Sequence, residues 1–312
     1  MNQRIIRIGT RGSNLALWQA KEVQTYLKKV FSDLEVEIVV IKTKGDVLLD
    51  VALSKIGDKG LFTKEIEKAL LSGEIDIAVH SLKDMPTELP DGLILGGVLP
   101  RGEVRDVFLS RDGRILSELT KDDKVGTSSL RRQSQLKSSF PFLNIVDIRG
   151  NVNLRIKKMQ DGYCDGIVMA GAGIERLGLN HLITEYIEPE IIMPAVSQGA
   201  IAIEMREDDE YIMPYIDSIN DELTWNMVMA ERAFLRAMEG GCQVPVACHS
   251  VLMHGNKLRI EALVSSIDGC EKVKEKIECD LDEASEAAVA MAFRMLEAGA
   301  ADILKSIRPV ND

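Results

Sequence analysis

Residues 7–17, RIGTRGSNLAL, and residues 124–134, KVGTSSLRRQS, follow one plan: a short apolar strand, Gly-Thr, then a serine where a helix begins. Each turn offers free backbone N–H groups and the positive end of a helix dipole, which suits a carboxylate or phosphate, although ordinary helix capping needs the same residues. Around the first copy, RIIRIG reads as a strand. Ser13 is the candidate N-cap, and Ala16, Ala20, Val23 and Leu27 mark one helix face. VEIVVIK returns as a buried strand. Thr63 then caps a helix whose apolar side is Phe62, Ile66, Ala69 and Leu70, Gly73 stops it, and EIDIAVHS is a further strand. Around the second copy the alternation recurs: a helix over 129–137, the strand NIVDI, a helix over 152–160, the strand CDGIVMA and a short helix ending near Gly178. The repeat predicts two α/β units.

Beyond MPAVSQGAIAIEMRED, read as a strand, the pattern changes. LTWNMVMAERAFLRAME is helical and stops at Gly240-Gly241. VPVACHSVLM, KLRIEALVSS and EKVKEKIE read as three strands joined by turns, and a helix follows over about 283–304. The expected organisation is an α/β domain over 1–99 joined by a return strand within 200–217, an arginine-rich α/β domain over 100–199, and an α+β domain over 218–312.

With 312 residues, 46% of them apolar, the chain can bury sizeable cores. The opening MNQRIIRIGT lacks the apolar core of a secretory signal and no stretch has the ~20 apolar residues of a membrane span, so a cytoplasmic protein without membrane contact is expected. Five cysteines in no C-x-x-C spacing argue for reduced thiols, and the four histidines show no metal spacing, so no metal is expected. A formal charge of −11 argues against general nucleic-acid binding. Yet residues 126–158 hold seven basic side chains against the single acid Asp147. That window reads as an anion site or as solvated helix faces.

Four constellations carry candidate chemistry. HSLKDMP places Lys83 and Asp84 at the carboxyl end of a strand, where open α/β sheets contact ligands, or on a plain surface turn before Pro86. DIRGNVNLRI sets Arg149 at a strand end and Arg155 in the next helix, with Gly150 leaving the backbone open. GTSSLRRQS adds Arg131 and Arg132 beside Ser128 and Ser129. Arginine's planar fork holds carboxylates bidentately, so two such turns on one sheet predict a polyanionic ligand. Finally, GGCQVPV displays the thiol of Cys242 on the loop between the helix and the first strand of the last domain.

Taken together, GTRGSNLALWQA, KGLFTKEIEKALLSGEIDIAVHSLKDMPT, GTSSLRRQSQL, DIRGNVNLRI, AGAGIERLGL, MPAVSQGAIAIEMRE and GGCQVPV stand in the order found in the porphobilinogen deaminases (hydroxymethylbilane synthases) of tetrapyrrole and heme biosynthesis, which the chain resembles nearly end to end. The resemblance implies two similar periplasmic-binding-protein-like α/β domains around a cleft, plus a C-terminal α+β domain with a three-stranded antiparallel sheet. It implies a transferase that adds four porphobilinogen molecules head to tail, each losing ammonia, to a dipyrromethane cofactor held through a thioether at Cys242. The linear tetrapyrrole, hydroxymethylbilane, then leaves by hydrolysis. A monomer fits the family.

The resemblance also distributes roles. Asp84 is the catalytic group, a buried carboxylate facing the azafulvenium cation left by ammonia and managing pyrrole protons. Lys83, Asp84, Ser129, Arg131, Arg132 and Arg155 join Cys242 in cofactor binding. Arg11, Ser13, Phe62, Arg149, Arg155, Arg176 and Gln198 serve the substrate, Phe62 by stacking on a pyrrole face. Lys55 and Lys59 belong to a stretch that closes over the site. Departures from the commonest pattern are Ser197, where glycine is frequent, Gly12, where a bulkier residue stands, and Leu82 and Met85, exchanged for similar apolar residues. Two other readings compete. A solute-binding protein for an anion would carry no covalent group, and a thiol hydrolase using Cys242 with His249 or His254 would lack a cysteine at a helix N-terminus.

Overall fold

A computed structural model describes residues 5–43, 63–238 and 244–307, arranged as two units. Phe62, Lys55, Lys59 and Cys242 lie outside the described residues.

The first unit comprises residues 1–102 and 199–225. Its five-stranded sheet runs β2 (Val36–Val40), β1 (Ile6–Thr10), β3 (Ile77–Ser81), β10 (Ile201–Arg206), β4 (Leu93–Val98). β1 pairs in parallel with β2 and β3, while β10 is antiparallel to both its neighbours. Helices cover both faces, so the strands read as nearly continuous apolar runs. One face packs Ile6, Ile8, Ile77, Val79 and Ile203 against Ala20, Val23 and Leu27 of the helix Asn14–Val30. The other packs Ala78 and Leu93 against Ile66, Ala69 and Leu70 of the helix Lys64–Leu71. Ser13 caps the first helix as expected, its Oγ accepting from Ala16 N at 3.3 Å. Thr63 occupies the N-cap position of the second but gives no side-chain capping bond. Gly73 ends that helix at φ 73°.

The second unit comprises residues 103–198 and 226–312. Its first sheet runs β7 (Asn144–Val146), β6 (Lys124–Gly126), β8 (Gly166–Ala170), β5 (Asp106–Ser110), β9 (Glu185–Ile187). The plan of the first unit recurs: three parallel strands, then one antiparallel strand with a neighbour on each side. In both units the antiparallel strand is the first one formed after the chain crosses over, β5 on entering the second unit and β10 on returning to the first. The repeat in the turn sequences therefore reflects a repeat of whole sheets.

The rest of the second unit is the antiparallel sheet β11 (Val246–Met253), β12 (Lys257–Ser265), β13 (Lys272–Asp280). Phe234, Val264, Met291 and Met295 lie in its core with the flanking helices. The helix expected over 283–304 is broken. A regular stretch Ala284–Met295 gives way to a wider turn in which Gly299 adopts φ 109°, and a second helix spans Ala301–Ile307. Among the described residues no helix is long and apolar enough to cross a membrane, and no group of three His, Cys, Asp or Glu is placed to hold a metal.

Candidate active site

In the first unit β3 runs directly into a single 3-10 turn, Leu82–Asp84. Leu82 is fully buried and Met85 nearly so, and their N–H groups bond Ala200 O and Leu82 O at 3.1 Å. The two apolar departures from the family pattern are thus the anchors of this turn. Pinned at both ends, it turns Lys83 half out and leaves Asp84 exposed. The expected buried carboxylate is corrected here: the buried positions of the turn belong to its apolar residues.

Asp84 shares a pocket with Arg11 and Ser13 from the turn after β1, Gln19 from the first helix, Thr63, and His80 and Ser81 from the end of β3. Gln19 is buried and donates to Ser81 Oγ at 2.8 Å, which ties the helix to the strand end. Sequence reasoning missed Gln19. Its signal was a polar residue at a position flanked by the helix's apolar stripe. Ser13 lines the pocket while its Oγ caps the helix. A Cβ on Gly12 would meet Val40 Cγ1 at 3.4 Å, an ordinary contact, so the fold accepts a larger residue there.

On the pocket wall, His80 Nε2 lies 3.1 Å from Oε2 of the fully buried Glu204 on β10. Glu67, on the helix covering that face, is also buried. Burial pushes its carboxyl above the ordinary 4.5, with the Glu204 charge acting in the same direction.

In the second unit the predicted residues sit on the turns that follow β6, β7 and β8, which run parallel and so present their carboxyl ends at one sheet edge. Ser129 caps the helix Leu130–Ser139, accepting from Arg132 N at 3.5 Å. Ser128 Oγ accepts from Ile148 N and donates to Ile148 O, both at 3.0 Å, lacing the first two turns together. Gly150 takes φ 117°, a conformation that favours glycine, and its carbonyl accepts Arg155 Nε at 2.7 Å. Arg149 on the turn after β7, Arg155 in the helix Val152–Gln160 and Arg176 at the C-terminal end of the helix Gly171–Arg176 are half-buried.

Arg131 and Arg132 behave differently. Both are buried, and the two oxygens of fully buried Asp106, at the head of β5, each take one guanidinium at 2.8 Å. Arg131 Nη1 also donates to Met193 O at 2.6 Å and Arg132 Nη1 to Val168 O at 3.1 Å. Gln198 is fully buried in the same network, donating to Asp106 Oδ1 at 3.0 Å and Val104 O at 2.7 Å. Asp106 is a second residue that sequence reasoning missed. Of the remaining cysteines, Cys164 and Cys248 are buried, Cys279 half-buried and Cys270 exposed, and burial pushes the Cys164 thiol up to about 11.

Residues 6–214 match the family model "Porphobilinogen deaminase, dipyromethane cofactor binding domain", and residues 225–297 match "Porphobilinogen deaminase, C-terminal domain". The porphobilinogen deaminase of Syntrophomonas wolfei is 51% identical over 305 residues, covering 98% of this chain and 99% of the relative. The chain belongs to the porphobilinogen deaminase family. That of Chlorobium phaeobacteroides is 48% identical over 312 residues, 99% of each chain. Among solved structures, the methionine binding protein MetQ is similar at a TM-score of 0.45 and 15% identity, over 71% of this chain and 92% of that one. The family is one of transferases, the hydroxymethylbilane synthases, and the region carrying Asp84 and the arginine turns falls within its cofactor-binding domain model.

Proposed function

We propose that the chain polymerises four porphobilinogen molecules head to tail on a dipyrromethane primer carried by Cys242, and releases hydroxymethylbilane. The Leu82–Asp84 turn carries the reading: a carboxylate held out between two buried anchors, in a pocket that also presents Arg11, Ser13 and Gln19. The residues present suit the primer. It bears acetate and propionate groups, and Lys83, Ser129, Arg131, Arg132 and Arg155 supply cations and a hydroxyl on and next to strand ends. When bound, it supplies the free pyrrole position to which substrate is joined.

The chain's own residues do the rest. Arg11, Ser13, Phe62, Arg149, Arg155, Arg176 and Gln198 orient the carboxylates and rings of substrate, Gln198 through its hold on Asp106. Asp84 keeps its negative charge where positive charge develops as ammonia leaves, and accepts the pyrrole proton. Asp106 holds Arg131 and Arg132 in fixed rotamers, so neither must be ordered when a carboxylate arrives. The working form is a cytoplasmic monomer of three domains, 1–99 with 200–217, 100–199 and 218–312, acting without metal, membrane or nucleic acid.

Intact mass tests the reading. The purified protein should exceed its sequence mass by one dipyrromethane, and Cys242→Ala should abolish both the excess and porphobilinogen consumption. An unmodified mass in turning-over enzyme would overturn it.

A further inference from the structure

The pair behind the pocket has no part in the chemistry above. β3 and β10 are antiparallel with His80 opposite Ala202 and Ala78 opposite Glu204, so His80 and Glu204 are diagonal neighbours on the face covered by the helix Lys64–Leu71. Glu204 is wholly inaccessible; its Oε2 meets the imidazole, and its Oε1 has no hydrogen-bond partner. A wholly buried carboxylate with one side-chain partner is costly to keep ionised unless that partner is positive. His80 is itself part of the wall that Asp84 and Arg11 share. The charged and titratable groups around it come from every side: Glu204 from β10, Glu67 with Lys64 beside it from the covering helix, Asp84 from the 3-10 turn and Arg11 from the turn after β1.

We propose that His80 is a positioning residue for substrate: as an imidazolium paired with Glu204 it cancels the buried carboxylate behind the pocket, so that the two carboxylates of porphobilinogen meet a neutral wall and not a negative one. This rests on the porphobilinogen reading. Burial raises the Glu67 carboxyl above its ordinary 4.5, with the Glu204 charge acting in the same direction, and His80 is the imidazole that faces both acids on this wall. With His80 and Glu204 both charged, Asp84 is the anion and Arg11 the cation that the described residues of this pocket present to the ligand. With the imidazole neutral and Glu204 ionised, a second negative charge in a poorly screened interior repels an anionic ligand.

The test combines spectroscopy with a double-mutant cycle on enzyme whose cofactor loading has been checked by mass. With only four histidines in the chain, the His80 ring can be assigned by NMR through its loss in His80→Gln. The expected wild-type signal at neutral pH is that of an imidazolium, reverting to a neutral ring in Glu204→Gln. In loaded His80→Gln, KM for porphobilinogen should rise on the order of tenfold while kcat changes less than about threefold. His80→Gln/Glu204→Gln, which restores neutrality without the imidazole, should return KM to within about threefold of wild type. A merely structural role would make the double variant at least as damaged as the single and would lower kcat along with raising KM. A neutral His80 ring in wild type, or an unchanged KM in loaded His80→Gln, would overturn the proposal. A wild type lacking the dipyrromethane mass would sink the parent reading instead, and the ring spectrum would still decide the charge of the pair.

Discussion

In the first unit the turn that ends β3 holds Asp84 out to a pocket between two buried apolar anchors, whereas in the second unit the carboxylate at the head of β5, Asp106, is shut inside between two guanidiniums. The sheets share one strand order and the same placement of an antiparallel strand. What differs is the use of charge. The contrast belongs to these two places: the end of β3 displays its carboxylate, while the head of β5 spends its carboxylate on holding two cations still. Elsewhere each unit buries a further carboxylate, Asp76 against Arg7 and Arg206 in the first and Glu231 beside His249 in the second. An ion pair of that kind is weak evidence for stability as a whole, because desolvation offsets the attraction. Removing one member is another matter, since the remaining charge is left buried.

The largest effect should follow from that asymmetry. Asp106→Asn keeps the volume but leaves two buried guanidiniums without their anion, and should cost about 3–5 kcal/mol in urea unfolding. A loss below about 1 kcal/mol would show that the arginines find solvent or another acceptor, and the contrast between the units would fail. Asp84→Asn is the counterpart. Because Asp84 is exposed, its stability should stay within about 0.5 kcal/mol of wild type, while turnover of cofactor-loaded enzyme falls roughly 10²- to 10³-fold with less change in KM. Single-turnover kinetics on enzyme checked by mass would decide it, and an undiminished rate would remove Asp84 from the mechanism.

How much of this was legible in sequence depends on how local the cause is. The strand, Gly-Thr, serine pattern could be read twice because helix capping is settled within four residues: Ser13 bonds Ala16 and Ser129 bonds Arg132. β4 could not. Its LILGGV carries Gly96 and Gly97 where a Cβ would come within 2.6 Å of Met205 Sδ and 2.8 Å of Ile216 Cγ2, so its glycines mark close packing from distant sequence. β5 was hidden for a related reason: it opens with an aspartate whose burial makes sense only once Arg131 and Arg132 are beside it. The same distance explains why the carboxylate those arginines share went unread, and why His80 went unread with its partner 124 residues away. The turn residues were found; the partners that orient them were not.

A smaller, pH-dependent effect separates the two buried environments. Burial raises the Glu67 carboxyl above its ordinary 4.5, so across the interval up to the raised value the folded chain holds a proton that the unfolded chain has released. Its contribution is therefore fully present below the ordinary value and is lost as pH rises through the folded one. Urea midpoints of wild type should fall with rising pH relative to Glu67→Gln, which keeps the neutral form at every pH. A difference that is flat or opposite in sign would mean that Glu67 is ionised in the fold.

The smallest effect concerns the segment by which the chain leaves the second unit. Ser197 is fully buried at φ 60°, a left-handed conformation that costs a residue with a Cβ on the order of 1 kcal/mol. Its Oγ is buried without a hydrogen-bond partner, adding a desolvation cost of about 1 kcal/mol or more. Its backbone N–H, by contrast, donates to Glu231 Oε2 at 2.6 Å, and glycine would keep that bond. The one opposing term is the larger freedom of glycine in the unfolded chain, roughly 0.5–1 kcal/mol. Ser197→Gly should therefore stabilise the protein by about 1 kcal/mol, seen as a higher urea midpoint at unchanged slope. The gain should appear equally in an Asp84→Asn background, where the two sites lie in different units, and should shrink in an Asp106→Asn background, because Gln198 beside it donates to Asp106. A lower midpoint would mean that the Ser197 hydroxyl supplies packing whose loss outweighs the relief of strain, and equal gains in both backgrounds would mean that the crossing segment is uncoupled from the arginine network.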